Sequence, residues 1–170
     1  TPLTASSTFV LTLKAGGTAG QLTVSASGSV APDMTLSGEA RVDAPSSARI
    51  LTLLGLSPRQ QDSMPGSMVI DAKGTVAGGF TGTGTLQVLG GRLDYEGAFS
   101  PFGDGYGLNG KLSLRATDAA PLFAAAGLPV TDDGSGVLVA DTPVSWSGGK
   151  WTFPTVAGRL GTAPFSGQAS

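Results

Sequence analysis

Catalysis needs titratable or nucleophilic side chains, and this chain of 170 residues has few. It contains no His and no Cys. The commonest general base and metal ligand is therefore missing, and so are thiol nucleophiles, thiolate metal sites and disulfides. Serines are plentiful, but without His a Ser–His–acid triad cannot form. Asp94 and Glu96 lie two apart on one strand face, which could bring two carboxylates together. Arg92 shares that face, and the simpler reading is local charge balance on a solvated strand. Asp132-Asp133-Gly134-Ser135 lacks the spaced oxygens and the Glu of a calcium loop, and reads as a turn. Gly82 and Gly84 have no Lys-Ser/Thr after them, so they do not form a phosphate loop. The sequence thus points away from an enzyme, and no cofactor or metal is expected.

Charge and length narrow the partners. Net charge is −2 and no basic stripe accompanies the scattered aromatics, which argues against nucleic acid. Charged residues make up 13%, about half the usual share. A chain this poor in charge either buries much of its surface or offers an apolar surface to something. The longest apolar run, Ala119 to Val130, contains Pro121 and falls short of the roughly 20 residues a membrane span needs. Beginning at Thr1-Pro2 and ending in a strand-like stretch, the chain reads as a piece of a longer protein.

The elements that would present such a surface are mostly strands. Apolar residues alternate with polar ones at Phe9, Leu11, Leu13; at Leu22, Val24; and at Met34, Leu36, Ala40, Val42. Further strands are expected near 67–76, 80–89, 92–99, 106–116, 136–142, 150–156 and 160–169. Gly16-Gly17, Gly78-Gly79, Gly90-Gly91 and Gly148-Gly149 mark turns between them. Gly38, Gly74, Gly82, Gly84 and Gly110 fall inside strands, where they would let a sheet curve strongly. Two segments break this rhythm. Near 46–54, Ile50, Leu53 and Leu54 recur at helical spacing before Gly55. Near 118–126, Asp118 caps a run with Leu122, Phe123 and Ala126 that Gly127 ends. Each short helix is expected to cover an edge or end of the sheet. The predicted fold is mainly β: a curved antiparallel sheet of about ten strands with these two helices.

The pattern repeats. Gly38 and Gly55-Leu56 match Gly110 and Gly127-Leu128, and GSMVIDAKGTVAGG (66–79) aligns with GVLVADTPVSWSGG (136–149). GRLDYEGAFS (91–100) aligns with GRLGTAPFSG (158–167), and GQLTVSASGS (20–29) resembles both. The chain reads as one β-rich module of repeat units at roughly 1–65, 66–135 and a partial 136–170. Two short helices cannot cover about ten strands. Either the sheet closes on itself or one apolar face stays open, and an open face of several hundred Å² would mark a binding site. Candidate lining residues are Phe9, Leu11, Leu13, Leu22, Val24, Leu36, Val42, Leu86, Val88, Leu112 and Leu114.

The stretch GKLSLRATDAAPLFAAAGLP (110–129), with GRLDYEGAFS (91–100) and GEARVDAPSSARILTLLGL (38–56), resembles the AsmA family of bacterial envelope proteins. The 38–56 copy departs from that pattern, because Asp43 comes three positions early relative to Asp118. The resemblance implies an inner-membrane-anchored parent protein projecting into the Gram-negative periplasm. It also implies a curved β-groove with an apolar interior, and a part in outer-membrane biogenesis and phospholipid transport. It brings no catalytic site. The expected ligands are phospholipid acyl chains. The alternatives are an assembly module that binds an envelope protein by strand addition, and, less well suited to the greasy helices, a surface adhesin. Exposed sheet edges are expected to pair between molecules.

Overall fold

A computed structural model describes residues 5–17, 20–54, 64–100, 107–126, 136–147 and 149–169. Ten strands form one sheet in simple sequence order, every neighbouring pair antiparallel. They are β1 (Ser7–Gly17), β2 (Gly20–Val30), β3 (Leu36–Ala44), β4 (Gly66–Thr75), β5 (Gly79–Val88), β6 (Gly91–Ser100), β7 (Gly107–Ala116), β8 (Leu138–Ser147), β9 (Lys150–Leu160) and β10 (Ala163–Ala169). Helix α1 (Ser47–Leu53) follows β3 and helix α2 (Ala120–Ala126) follows β7. β1 and β10 do not pair with each other, so the sheet is open.

Local chemistry explains this order. Connections of two or three residues join β4 to β5, β5 to β6 and β9 to β10, and short links permit only antiparallel neighbours. At the β5–β6 turn both central residues, Leu89 (φ 54°) and Gly90 (φ 73°), are left-handed, which is the hairpin turn that suits strand twist. Leu89 tolerates this conformation because it is buried and its N–H donates to Ser47 Oγ at 2.9 Å. The turn at Gly161 (φ 58°) corrects the alignment of 158–167 with 91–100. GRLDYEGAFS is one strand, whereas GRLGTAPFSG is split between β9 and β10.

Both helices lie at one end of the sheet. In α1, Ser47, Ile50 and Leu51 are buried, whereas Leu53 and Leu54 are 57% and 46% exposed. The buried stripe is therefore Ile50–Leu51, not the expected Ile50–Leu53–Leu54, and α1 is rotated to seat Ser47. Ile50 and Leu51 pack with Ala44, Val88 and Leu89; Leu122 and Ala125 of α2 close the same cluster. A second cluster joins Ala116, Ala119 and Leu138 to Leu122, Phe123 and Leu160. Asp118 caps α2 as expected, accepting the Ala120 N–H at 2.9 Å. The expected helix stops at Gly55 and Gly127 lie outside the described residues, as do Phe102, Tyr106 and the 132–135 turn.

Candidate functional site: one apolar sheet face

Residues opposite each other in an antiparallel pair project to the same face. Followed across the sheet, the register runs Leu11–Ala26–Ala40–Ile70–Gly84–Tyr95–Leu112–Thr142 in one row. A neighbouring row runs Leu13–Val24–Val42–Met68–Leu86–Leu93–Leu114–Ala140. By this bookkeeping all eleven candidate lining residues share one face. The other face carries Thr8, Ser27, Glu39, Lys73, Thr83, Glu96 and Lys111, among others. The sheet is thus amphipathic over its full width.

The eleven do not share one environment. Val88 and Val42 are buried, and Leu22, Leu86 and Leu114 are partly buried against the two clusters beneath the helices. Phe9, Leu11 and Leu13 are about half exposed, and Val24, Leu36 and Leu112 are partly buried. The uncovered part of the face is therefore bordered by the last six. It also includes Ile70 (42% exposed), Phe99 (40%) and Phe165 (39%), which the sequence reading did not single out as lining residues. Ile70 was hidden in the continuous apolar run Met68-Val69-Ile70, where alternation carries no signal. At the end away from the helices, Phe80 faces Phe99, and Trp146 faces Trp151 with ring centroids 6.2 Å apart. Trp151 in turn stacks on Phe153 at 6.2 Å and 11°.

Glycine shapes the middle of this face. One row runs Gly28–Gly38–Ala72–Gly82–Gly97–Gly110–Val144. A Cβ at Gly97 would meet the Asn109 carbonyl oxygen, and one at Gly110 would meet the Glu96 carbonyl oxygen. Neighbouring backbones thus crowd together on the apolar side, where only glycine leaves room for them. Tyr95 lies over both glycines and donates to the Ala98 and Asn109 carbonyls at 3.1 and 3.2 Å. Burial raises the Tyr95 phenol above its ordinary value. Close backbone approach requires glycine at Gly38, Gly74, Gly82 and Gly110 but not at Gly84, where a Cβ would make only ordinary contacts.

On the polar face three of the acids are paired with arginines, Asp94 among them as the charge-balance reading expects. Arg92 meets Asp94 at 2.8 Å, Arg41 meets Asp43 at 2.7 Å and Arg115 meets Asp141 at 3.5 Å. Asp94 is held below the ordinary carboxylate value by its hydrogen bond from Arg92, aided by Thr85. Asp141 is lowered by a 2.6 Å hydrogen bond from Ser113, aided by Arg115. Hollows of about 780 and 620 Å³ are bordered chiefly by polar-face residues such as Ser27, Glu39, Thr83, Asn109 and Ser145; Phe9 is the one predicted lining residue in either. Among the described residues the apolar face belongs to an open sheet. Among the described residues no cluster of His, Cys, Asp or Glu could hold a metal ion, and no helix is long and apolar enough to cross a membrane.

Comparison with protein-family models, curated proteins and solved structures matches this chain to none of them.

Proposed function

We propose that the uncovered apolar face binds acyl chains, and that the chain is a non-catalytic periplasmic module of an AsmA-like envelope protein engaged in phospholipid transport and outer-membrane biogenesis. One observation carries this reading: the strand register gathers most of the apolar residues of β1 to β8 on one face, and among the described residues the helices cover only one end of it. Apolar ligand placed there would exchange water for contact with Leu11, Val24, Leu36, Ile70 and Leu112, at ~25 cal/mol per Å² removed from water. Binding of this kind needs no acid, base or metal. Polar head groups would stay in water at the rim.

The test is native mass spectrometry of the protein after incubation with phospholipid and removal of free lipid. Bound phospholipid is expected on the wild type and on Thr83→Asp, which changes the polar face. It is expected to be lost on Leu112→Asp and Val24→Asp, with far-UV circular dichroism unchanged. Equal lipid retention by all four proteins would sink the reading.

A further inference from the structure

The two edges of the sheet are built differently. β10 is seven residues long, its register slips between Gly167 and Ala169, and it carries Pro164. Leu160 and Ala163 flank a two-residue turn, so Ala163 directs its backbone groups at β9 and Pro164 faces outward. There the proline ring removes a donor from the free edge. A short strand, a bulge and an outward Pro are standard ways to stop an edge recruiting another strand. β1 has none of these. It is eleven residues long, contains no Pro and keeps unbroken register with β2. Counting from the Gly17↔Gly20 partners, Phe9, Leu11 and Leu13 direct their backbone groups at β2, while Thr8, Val10 and Thr12 direct theirs outward. The same edge leaves Phe9, Leu11 and Leu13 at 47%, 51% and 55% exposed and Val10 at 80%.

We infer that β1 pairs antiparallel with β1 of a second copy, about a two-fold axis through Leu11. This register matches the apolar triad to itself: Leu11 faces the partner's Leu11, and Phe9 faces the partner's Leu13. On the other face Val10 meets the partner's Thr12, and Lys14 meets the partner's Thr8, so no like charges oppose each other. The axis is perpendicular to the sheet, as antiparallel pairing within one sheet requires. Both apolar faces therefore fall on the same side, and the sheet grows from ten strands to twenty. The interface is isologous and closed, so it stops at a dimer. One strand a side places it at the low end of interface sizes, under about 1,200 Å², so the dimer depends on concentration. The inference does not depend on what the apolar face binds.

The chain has no cysteine, so Leu11→Cys would carry the sole thiol. Leu11 would sit in a non-hydrogen-bonded pair with its symmetry mate, where Cα atoms lie about 4.5 Å apart, close enough for a disulfide. Mild oxidation should give Leu11→Cys a disulfide-linked dimer of twice the 16.8 kDa chain mass. Phe165→Cys, on β10, should stay monomeric. In sedimentation the wild type should shift from monomer to dimer with concentration. The double variant Val10→Lys/Thr12→Lys, which sets lysines opposite each other across the axis, should stay monomeric with an unchanged circular dichroism spectrum. A wild type that remains monomeric at every attainable concentration would overturn the inference, as would Phe165→Cys cross-linking as readily as Leu11→Cys.

Discussion

At the residue scale, Ser47 ties three parts of the chain together. It is fully buried, accepts the Leu89 N–H at 2.9 Å and lies 3.1 Å from the Met64 and Pro65 carbonyl oxygens, to which its hydroxyl donates. Ser47→Ala removes the hydroxyl that accepts from the buried Leu89 N–H, while the Met64 carbonyl keeps the Ser47 N–H at 2.7 Å, and should cost about 1–3 kcal/mol in urea unfolding. Gly110 makes a sharper contrast. Gly110→Ala drives a methyl at the Glu96 carbonyl and the Tyr95 ring, whereas Gly84→Ala has room. We expect about 1–3 kcal/mol of destabilisation at Gly110 and within about 0.5 kcal/mol at Gly84, read by the same unfolding curves. Acid stability follows from Asp94 and Asp141. Both have native values depressed below the ordinary 3.8, by hydrogen bonds from Arg92 and Ser113 first. Their contribution is present in full above the ordinary value and disappears as pH falls through the native ones. Both carboxylates are well exposed, so the contribution is small and screened by salt. Unfolding midpoints should be flat near neutrality and fall below about pH 4, and Asp94→Asn should flatten part of that fall.

At the element scale, the helices owe their stability to packing rather than propensity. Seven residues are too few for a stable isolated helix, and neither helix has an acid in its first turn or a base in its last. The side chain of Ile50 is fully buried between helix and sheet, so Ile50→Ala should cost about 2–5 kcal/mol. Leu53→Ser, on the exposed side of the same helix, should change stability by no more than about 0.5 kcal/mol. Guanidinium titrations of the two variants would check that α1 is seated on Ile50 and Leu51. The strands were the more legible elements. Gly-bounded alternation located β4 to β7 to within a residue, because period two and turn glycines are local properties. Helix rotation was not legible. Ile50, Leu51, Leu53 and Leu54 are all apolar, and only the seat offered to Ser47 by Leu89, Met64 and Pro65 decides which of them faces inward.

At the scale of the whole molecule, every strand pairs only with its sequence neighbours, whether the connection is a short turn or one of the two longer segments that carry α1 and α2. Order should therefore decline from the centre to the edges. Amide exchange should be slowest in β4 to β7 near the helices and fastest in β10. On β1, the outward amides of Thr8, Val10 and Thr12 should gain protection as protein concentration rises, and those of Phe9 and Leu11 should not change. Exchange that is uniform across the ten strands would contradict both the open sheet and the edge pairing.

The sequence by itself determined that the chain would be β-rich, antiparallel and amphipathic, because alternation, glycine turns and the absence of His and Cys are written residue by residue. It could place Phe9, Leu36 and Leu112 on apolar strand faces one strand at a time. Whether those faces coincide depends on register between strands, and a slip of one residue would have turned any strand over. Tertiary structure decided that they do coincide. It also divided them, packing Leu86, Val88 and Leu114 against the clusters under α1 and α2 while leaving Phe9, Leu11 and Leu13 exposed. The division is invisible in the sequence because exposure is set by what packs above a residue. Here that is two helices folded back over one end of the sheet, the only described elements that pack on that face.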